Sequence, residues 1–165
     1  NFKELVNFHP HINKVYGLNL RKAKKKKSLL ILINENDVKF ITDFKEKSFY
    51  YNQSILDSIF YNLVSNSIKY GSDERQKIVK ITSEKIENDS IQLVFEDNGI
   101  GMDKNTQKMI FEKFYREQNG NIHNIKGHGL GLSYVKKIID FHNGKISLES
   151  KKGTGTKFYI TLKNI

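Results

Sequence analysis

Asn62, Asn66 and Lys69 recur at i, i+4 and i+7 inside a helical pattern. That spacing puts two amides and one ammonium on a single helix face, away from the apolar stripe. Mg2+ takes oxygen ligands, few of them from protein and the rest from water and phosphate. An amide oxygen suits that role without adding negative charge. Lys69 can neutralise phosphate, and the Tyr70 ring can lie against a flat base. Taken alone, the same residues also suit an ordinary solvated helix face.

Asp97-Asn-Gly99-Ile-Gly101 follows a strand whose Ile91, Leu93 and Phe95 alternate. A carboxylate at a strand end can accept a hydrogen bond from an exocyclic amine such as adenine N6. The glycines beside it let backbone approach a flat ring, although Asp-Asn-Gly is also a plain turn sequence. Gly127-His-Gly129-Leu130-Gly131 runs directly into a second helical pattern. Such an entry points free N–H groups and the helix dipole at an anion. It is neither a P-loop nor a dinucleotide fingerprint, since Gly-Lys-Ser/Thr and G-x-G-x-x-G are both absent. His128 sits in a glycine turn and contributes backbone rather than acid–base chemistry. Between these two segments, residues 102–126 form a long polar stretch around Phe111 and Phe114. Three apart on a short helix, the two rings would share a face and latch a cover over the site. Gly120 and the Asn-rich stretch 119–124 would let it hinge, and Arg116 beside the latch could reach a terminal phosphate.

Two helices and a set of strands must position these groups. Residues 53–70 read as a helix whose Leu56, Ile59, Phe60, Leu63 and Val64 form the buried stripe. Gly71 fits the left-handed position that closes a helix. Residues 129–142 read as a second helix, with Leu132, Val135, Ile138 and Ile139 inward and Asn143-Gly144 as its stop. Strands are expected from Val38 to Thr42, at 48–51, 78–83 and 91–96 (a hairpin), and at 145–150 and 156–162. Residues 28–33 are apolar and fit either a strand or a buried helix end. The class is α+β, a two-layer sandwich with helices on one face of a mixed, mostly antiparallel sheet.

The chain of 165 residues holds one sizeable core. Its net charge of +10 is uneven: residues 1–36 carry eight Lys or Arg against Glu4 and Glu35. The run from Arg21 to Lys27 has no interleaved aromatic to stack bases, so it reads as a charged linker and nucleic acid is not the expected partner. Cysteine is absent, which removes thiol chemistry and fits a reducing compartment. No apolar run reaches the roughly 20 residues of a membrane span. The start lacks both a leader pattern and Met, as expected of a piece of a longer chain located in the cytoplasm, whose parent could still be membrane-anchored.

Together the five segments, with Gly153-Thr-Gly-Thr156 as the last, resemble the N box, first G box, F box, second G box and final glycine motif of the catalytic ATP-binding domain of sensor histidine kinases. That domain shares the Bergerat fold with type II DNA topoisomerases, heat-shock chaperones and mismatch-repair ATPases. The resemblance covers about residues 37–165, which would be the catalytic domain with an ATP lid at about 103–126. Residues 1–36 match poorly. The resemblance implies that Asn66 holds Mg2+ and that Asn62, Lys69 and Arg116 act on the metal and phosphates. Tyr70, Asp97, Gly99, Gly101 and Thr156 would hold the base. Phe111 and Phe114 would anchor the lid, and Gly127, Gly129, Leu130 and Gly131 would enclose the phosphates of ATP.

One position separates branches of the superfamily. Its ATP-hydrolysing members place a Glu four residues before the metal-binding Asn, as general base for water. Here that position is Asn62, which cannot usefully accept a proton, as in histidine kinases. The resemblance therefore implies transfer of the γ-phosphate to a histidine rather than to water. None of the five histidines lies in the acceptor box of the family. The acceptor is expected on an upstream dimerisation domain of a homodimeric parent, with a response regulator as indirect partner. A degenerate module that only senses nucleotide, and a serine kinase or ATPase of the same fold, are the alternatives.

Overall fold

A computed structural model describes residues 4–7, 37–45, 48–87, 89–115 and 129–163. The strands are β1 (Glu4–Asn7), β2 (Lys39–Phe44), β3 (Ser48–Tyr51), β4 (Ile78–Ile86), β5 (Ser90–Asp97), β6 (Lys145–Lys151) and β7 (Gly155–Lys163). The helices are α1 (Gln53–Lys69), α2 (Lys104–Met109) and α3 (Gly131–Phe141). Five strands form one sheet in the order β2-β4-β5-β7-β6. β2 runs parallel to β4, and every other pairing is antiparallel. β1 and β3 form a separate antiparallel pair, Glu4 opposite Tyr51.

Alternation decides which face of the sheet is buried. Val79 and Ile81 on β4, Ile91, Leu93 and Phe95 on β5, and Phe158, Ile160 and Leu162 on β7 all point into the core. The stripe read from α1, Leu56 through Val64, is buried against them and continues to Ile68. Phe60 meets Phe95 edge to face at 4.8 Å, a geometry favoured by the ring quadrupoles. On α3, Val135 and Ile139 are buried, with Leu132 and Ile138 partly so. The opposite face is polar. A row crosses it from Lys80 through Glu96 and Lys157 to Glu149, with Lys157 and Glu96 3.2 Å apart. This is the expected α+β class, with a mixed sheet and helices on one face.

Four local features differ from the sequence reading. Gly71 is not left-handed; among the described residues the glycines with positive φ are 101, 129, 153 and 155. α1 instead closes through Tyr70, whose N–H donates to Asn66 O at 2.9 Å. The Lys77 side chain lies 2.7 Å from where a Gly71 Cβ would stand, so the missing side chain makes room for it. Second, α3 spans Gly131–Phe141 rather than the 129–142 read from the pattern, and Asn143 (φ 55) stands at its expected stop. Third, Phe111 and Phe114 do not share a helix face, because the helix of this segment, α2, ends before them. Fourth, Phe114 itself has φ 64. Residues 28–33, the basic run, Gly120 and the stretch 119–124 lie outside the described residues.

Candidate functional site

Asp97 ends β5, the middle strand of the sheet, with Val79 and Thr156 as its register partners. Its Oδ1 accepts N–H bonds from Gly99 at 2.9 Å and from Thr156 at 3.2 Å. Its Oδ2 lies 3.1 Å from Ser67 Oγ, which also faces Leu63 O at 3.1 Å. Burial raises the pKa of this carboxyl above the usual carboxylate range, and the bonds from Gly99, Ser67 and Thr156 oppose that rise. The side chain is therefore fixed in direction by backbone donors on one oxygen, while the other, beside the Ser67 hydroxyl, can accept one more bond.

Around it lies a cleft enclosing about 600 Å³, its open mouth included, lined by Asn66, Ser67, Tyr70, Asp97, Gly101 and Thr156 among others. Asp97 is the one carboxylate among the described lining residues. Gly101, at φ 64, lies so close to Lys151 O that a Cβ would collide with backbone. Ser150 holds this corner, accepting the Met102 N–H at 2.8 Å and contacting Thr156 Oγ1 at 2.9 Å.

The other predicted residues sit around this centre. Gly99 stands behind Asp97 as a donor, while Lys69 is exposed at the last turn of α1 and outside the lining. Asn62 lies about two turns before Lys69 on α1. Its Nδ2 donates to Ser58 O at 2.8 Å, which leaves Oδ1 2.8 Å from the Cβ position of Gly131. That contact brings the start of α3 against the face carrying Asn62. Helices α1 and α2 have side-chain caps, Asn52 and Asp103, whereas α3 begins at Leu130 with none; no acid stands in the first turn of any of the three. Its leading N–H groups thus remain available to an anion. Phe111 packs edge to face on Phe158 at 6.4 Å and reaches the cleft only through that ring. Phe114 is 71% exposed, and its N–H bonds Gly129 O at 3.0 Å. Leu130 is exposed. Arg116 and Gly127 lie outside the described residues.

Sequence reasoning missed several lining residues: Ser67, Ile100, Met102, Thr106, Ile110, Tyr115, Leu132 and Phe158. Ser67 had a signal, being four residues after Leu63 at the border of the apolar stripe. Thr106 had a weaker one, as the N3 partner of the Asp103 cap.

Residues 51–164 match the family model described as histidine kinase-, DNA gyrase B-, and HSP90-like ATPase. The chain belongs to this family. It is 42% identical over 107 residues to sensor protein RprX of Bacteroides fragilis, covering 65% of this chain and 20% of that protein. It is 30% identical over 162 residues to sensor protein kinase WalK of Staphylococcus aureus, covering 97% of this chain and 36% of WalK. The chain thus spans about a third or less of these relatives. The fold is that of the mycobacterial sensor histidine kinase MprB (TM-score 0.71, 21% identity, 99% of this chain and 100% of that one). It is also that of the catalytic domain of histidine kinase ThkA (TM-score 0.72, 21% identity, 99% and 97%). No helix among the described residues is long and apolar enough to cross a membrane.

Proposed function

We propose that this chain is the ATP-binding catalytic domain of a sensor histidine kinase, which binds Mg2+ with ATP and directs the γ-phosphate to a histidine on a separate dimerisation domain. Asp97 would accept the adenine amino group, with Gly99 and Thr156 fixing the carboxylate, Gly101 admitting the ring and Tyr70 beside it. The start of α3, from Gly129 to Gly131, would face the phosphates, with Lys69 and Arg116 adding positive charge. Among the described residues no group of three or more His, Cys, Asp or Glu could hold a metal, and the Asn66 side chain has no partner there. That suits Mg2+ carried mainly by phosphate and water, with Asn66 as its protein ligand. The metal would supply charge neutralisation.

Asn62 carries the choice of reaction. A hydrolase needs a general base next to the attacking water. Here the corresponding side chain is an amide whose nitrogen is spent on Ser58 O, and the one described carboxylate of the cleft is committed to the base end. What remains is positioning and electrostatics, which suffice for phosphoryl transfer. In that transfer the bond from the γ-phosphorus to the bridging oxygen breaks, a bond to an imidazole nitrogen forms, and ADP leaves. Full-length parent protein incubated with γ-labelled ATP tests this. Acid-labile, base-stable label on the protein is the expected result. Release of labelled phosphate without protein label would support a hydrolase, and binding without either would support a sensing module.

A further inference from the structure

We propose that Arg75 is a positioning residue for base recognition, acting by gripping the two peptide groups that aim Asp97. This rests on the nucleotide reading above.

Arg75 lies in the link between α1 and β4, and nothing in its sequence surroundings marks it. Its Nε donates to Asn98 O at 2.8 Å, and its Nη2 donates to Gly99 O at 2.8 Å and to Gly153 O at 3.0 Å. The first two carbonyls belong to consecutive peptide groups. Asn98 C=O shares its peptide with the Gly99 N–H, which donates to Asp97 Oδ1 at 2.9 Å. Gly99 C=O shares its peptide with the Ile100 N–H, which donates to Tyr70 O at 2.9 Å. Arg75 therefore holds the far end of the peptide that orients the carboxylate, and of the next one, which joins the loop to the end of α1.

The third carbonyl closes the circuit. Gly153 O accepts from Arg75 while the Gly153 N–H donates to Ile100 O at 2.7 Å. One guanidinium thus joins the α1–β4 link, the loop after β5 and the β6–β7 turn on one side of Asp97. A planar fork can meet such converging carbonyls, whereas an ammonium is a point donor on a flexible stem. Hydrogen bonds from a charged donor are also the stronger class.

The test is equilibrium binding of ATP and of ITP, which carries a 6-oxo group in place of the 6-amino group. Wild-type protein should prefer ATP. Arg75→Ala should weaken ATP binding roughly tenfold, the worth of one well-aimed hydrogen bond to a charged group, and leave ITP nearly unchanged. Arg75→Lys keeps the charge and the stem, guards against a folding defect, and should restore little of the preference. A preserved ATP-to-ITP ratio in Arg75→Ala, or full rescue by Arg75→Lys, overturns the inference while leaving the nucleotide reading intact. A wild-type protein that binds both nucleotides equally would instead remove the assignment of Asp97 to the base, and one that binds neither would remove the nucleotide reading itself.

Discussion

Replacing Asp97 by Asn changes one atom of the side chain, and the surroundings dictate which one. Oδ1 accepts two backbone N–H groups, from Gly99 and Thr156, so the amide oxygen of the variant must stay there. The NH2 then takes the place of Oδ2, 3.1 Å from Ser67 Oγ. This suits the folded protein. The Ser67 hydroxyl has one hydrogen and two neighbouring acceptors, Leu63 O and Asp97 Oδ2. In the variant it can donate to Leu63 O and accept from the amide. The burial cost of an ionised carboxylate disappears as well. Asp97→Asn should therefore fold at least as stably as wild type. It should fail at adenine, because a donor now faces the amino group of the base. Losing a charge-assisted bond and leaving donors opposed costs about 3 kcal/mol, roughly 100-fold in Kd. ITP, with an acceptor at the same position, should be spared or gain. Calorimetric titration with both nucleotides, and thermal melting without them, reads all three outcomes. ATP affinity within threefold of wild type, or equal losses for ATP and ITP, would refute the assignment of Asp97 to the base.

The pH dependence follows from the same carboxyl. Burial raises its folded pKa, so the folded chain keeps this proton to higher pH than the unfolded one. The stability linked to Asp97 is present below the ordinary carboxylate range and is lost as pH rises through the raised value. The melting temperature of Asp97→Asn relative to wild type should accordingly climb across that window, and ATP binding, which needs the ionised form, should fade as pH drops through it. Gly131→Ala puts a methyl 2.8 Å from Asn62 Oδ1. It should weaken ATP and ITP alike, by roughly tenfold, without a loss of melting temperature, because alanine favours the helix by up to about 1 kcal/mol. Phe114→Gly should raise stability by about 1 kcal/mol in denaturant titration, since a left-handed backbone is costly for a residue with a Cβ and its ring is 71% exposed. Phe114→Ala keeps that strain and should show no gain.

The elements that sequence reveals here are those whose pattern repeats. The stripe of α1 and the alternation of Ile91, Leu93 and Phe95 on β5 each run for several periods, and each is buried as read. Helix α2 has six residues and a single buried one, Thr106, too few for periodicity to register. Its Asp103 cap is a local signal that a polar stretch conceals. The pairing of β1 with β3 joins residues more than forty positions apart and follows from no local preference. Site residues divide the same way. Asp97 and Asn66, which the structure brings to one cleft, are legible in the sequence because the chemistry proposed for them lies in the side chain. Arg75 and Gly153 are not, because what links them is a set of backbone carbonyls, and every residue type carries one. Phe114 misleads because spacing alone assumes a helix through it, whereas its own φ takes it out of one.

The two ends of the cleft are held by different means, and this bears on how each contributes to binding. The base end is a closure of backbone bonds among three turns, with Ile100 N–H on Tyr70 O, Gly153 N–H on Ile100 O, and Asp97 gripped by Gly99 and Thr156. Its polar groups already have partners, so on the proposed reading an occupant would gain there by matching the remaining acceptor capacity of Asp97 Oδ2 beside the Ser67 hydroxyl. Mismatch would be penalised there, and on the proposed reading this is where discrimination should arise. The start of α3 has the opposite character. It has no side-chain cap, and Gly129, two residues before it, accepts the Phe114 N–H. Its leading N–H groups are donors that an anion of any base identity would satisfy, with the helix dipole adding to the attraction. Affinity and selectivity should therefore separate on mutation. Changes around Asp97 and Arg75 should alter the choice among nucleotides, and changes at Gly131 should alter how tightly all of them are held.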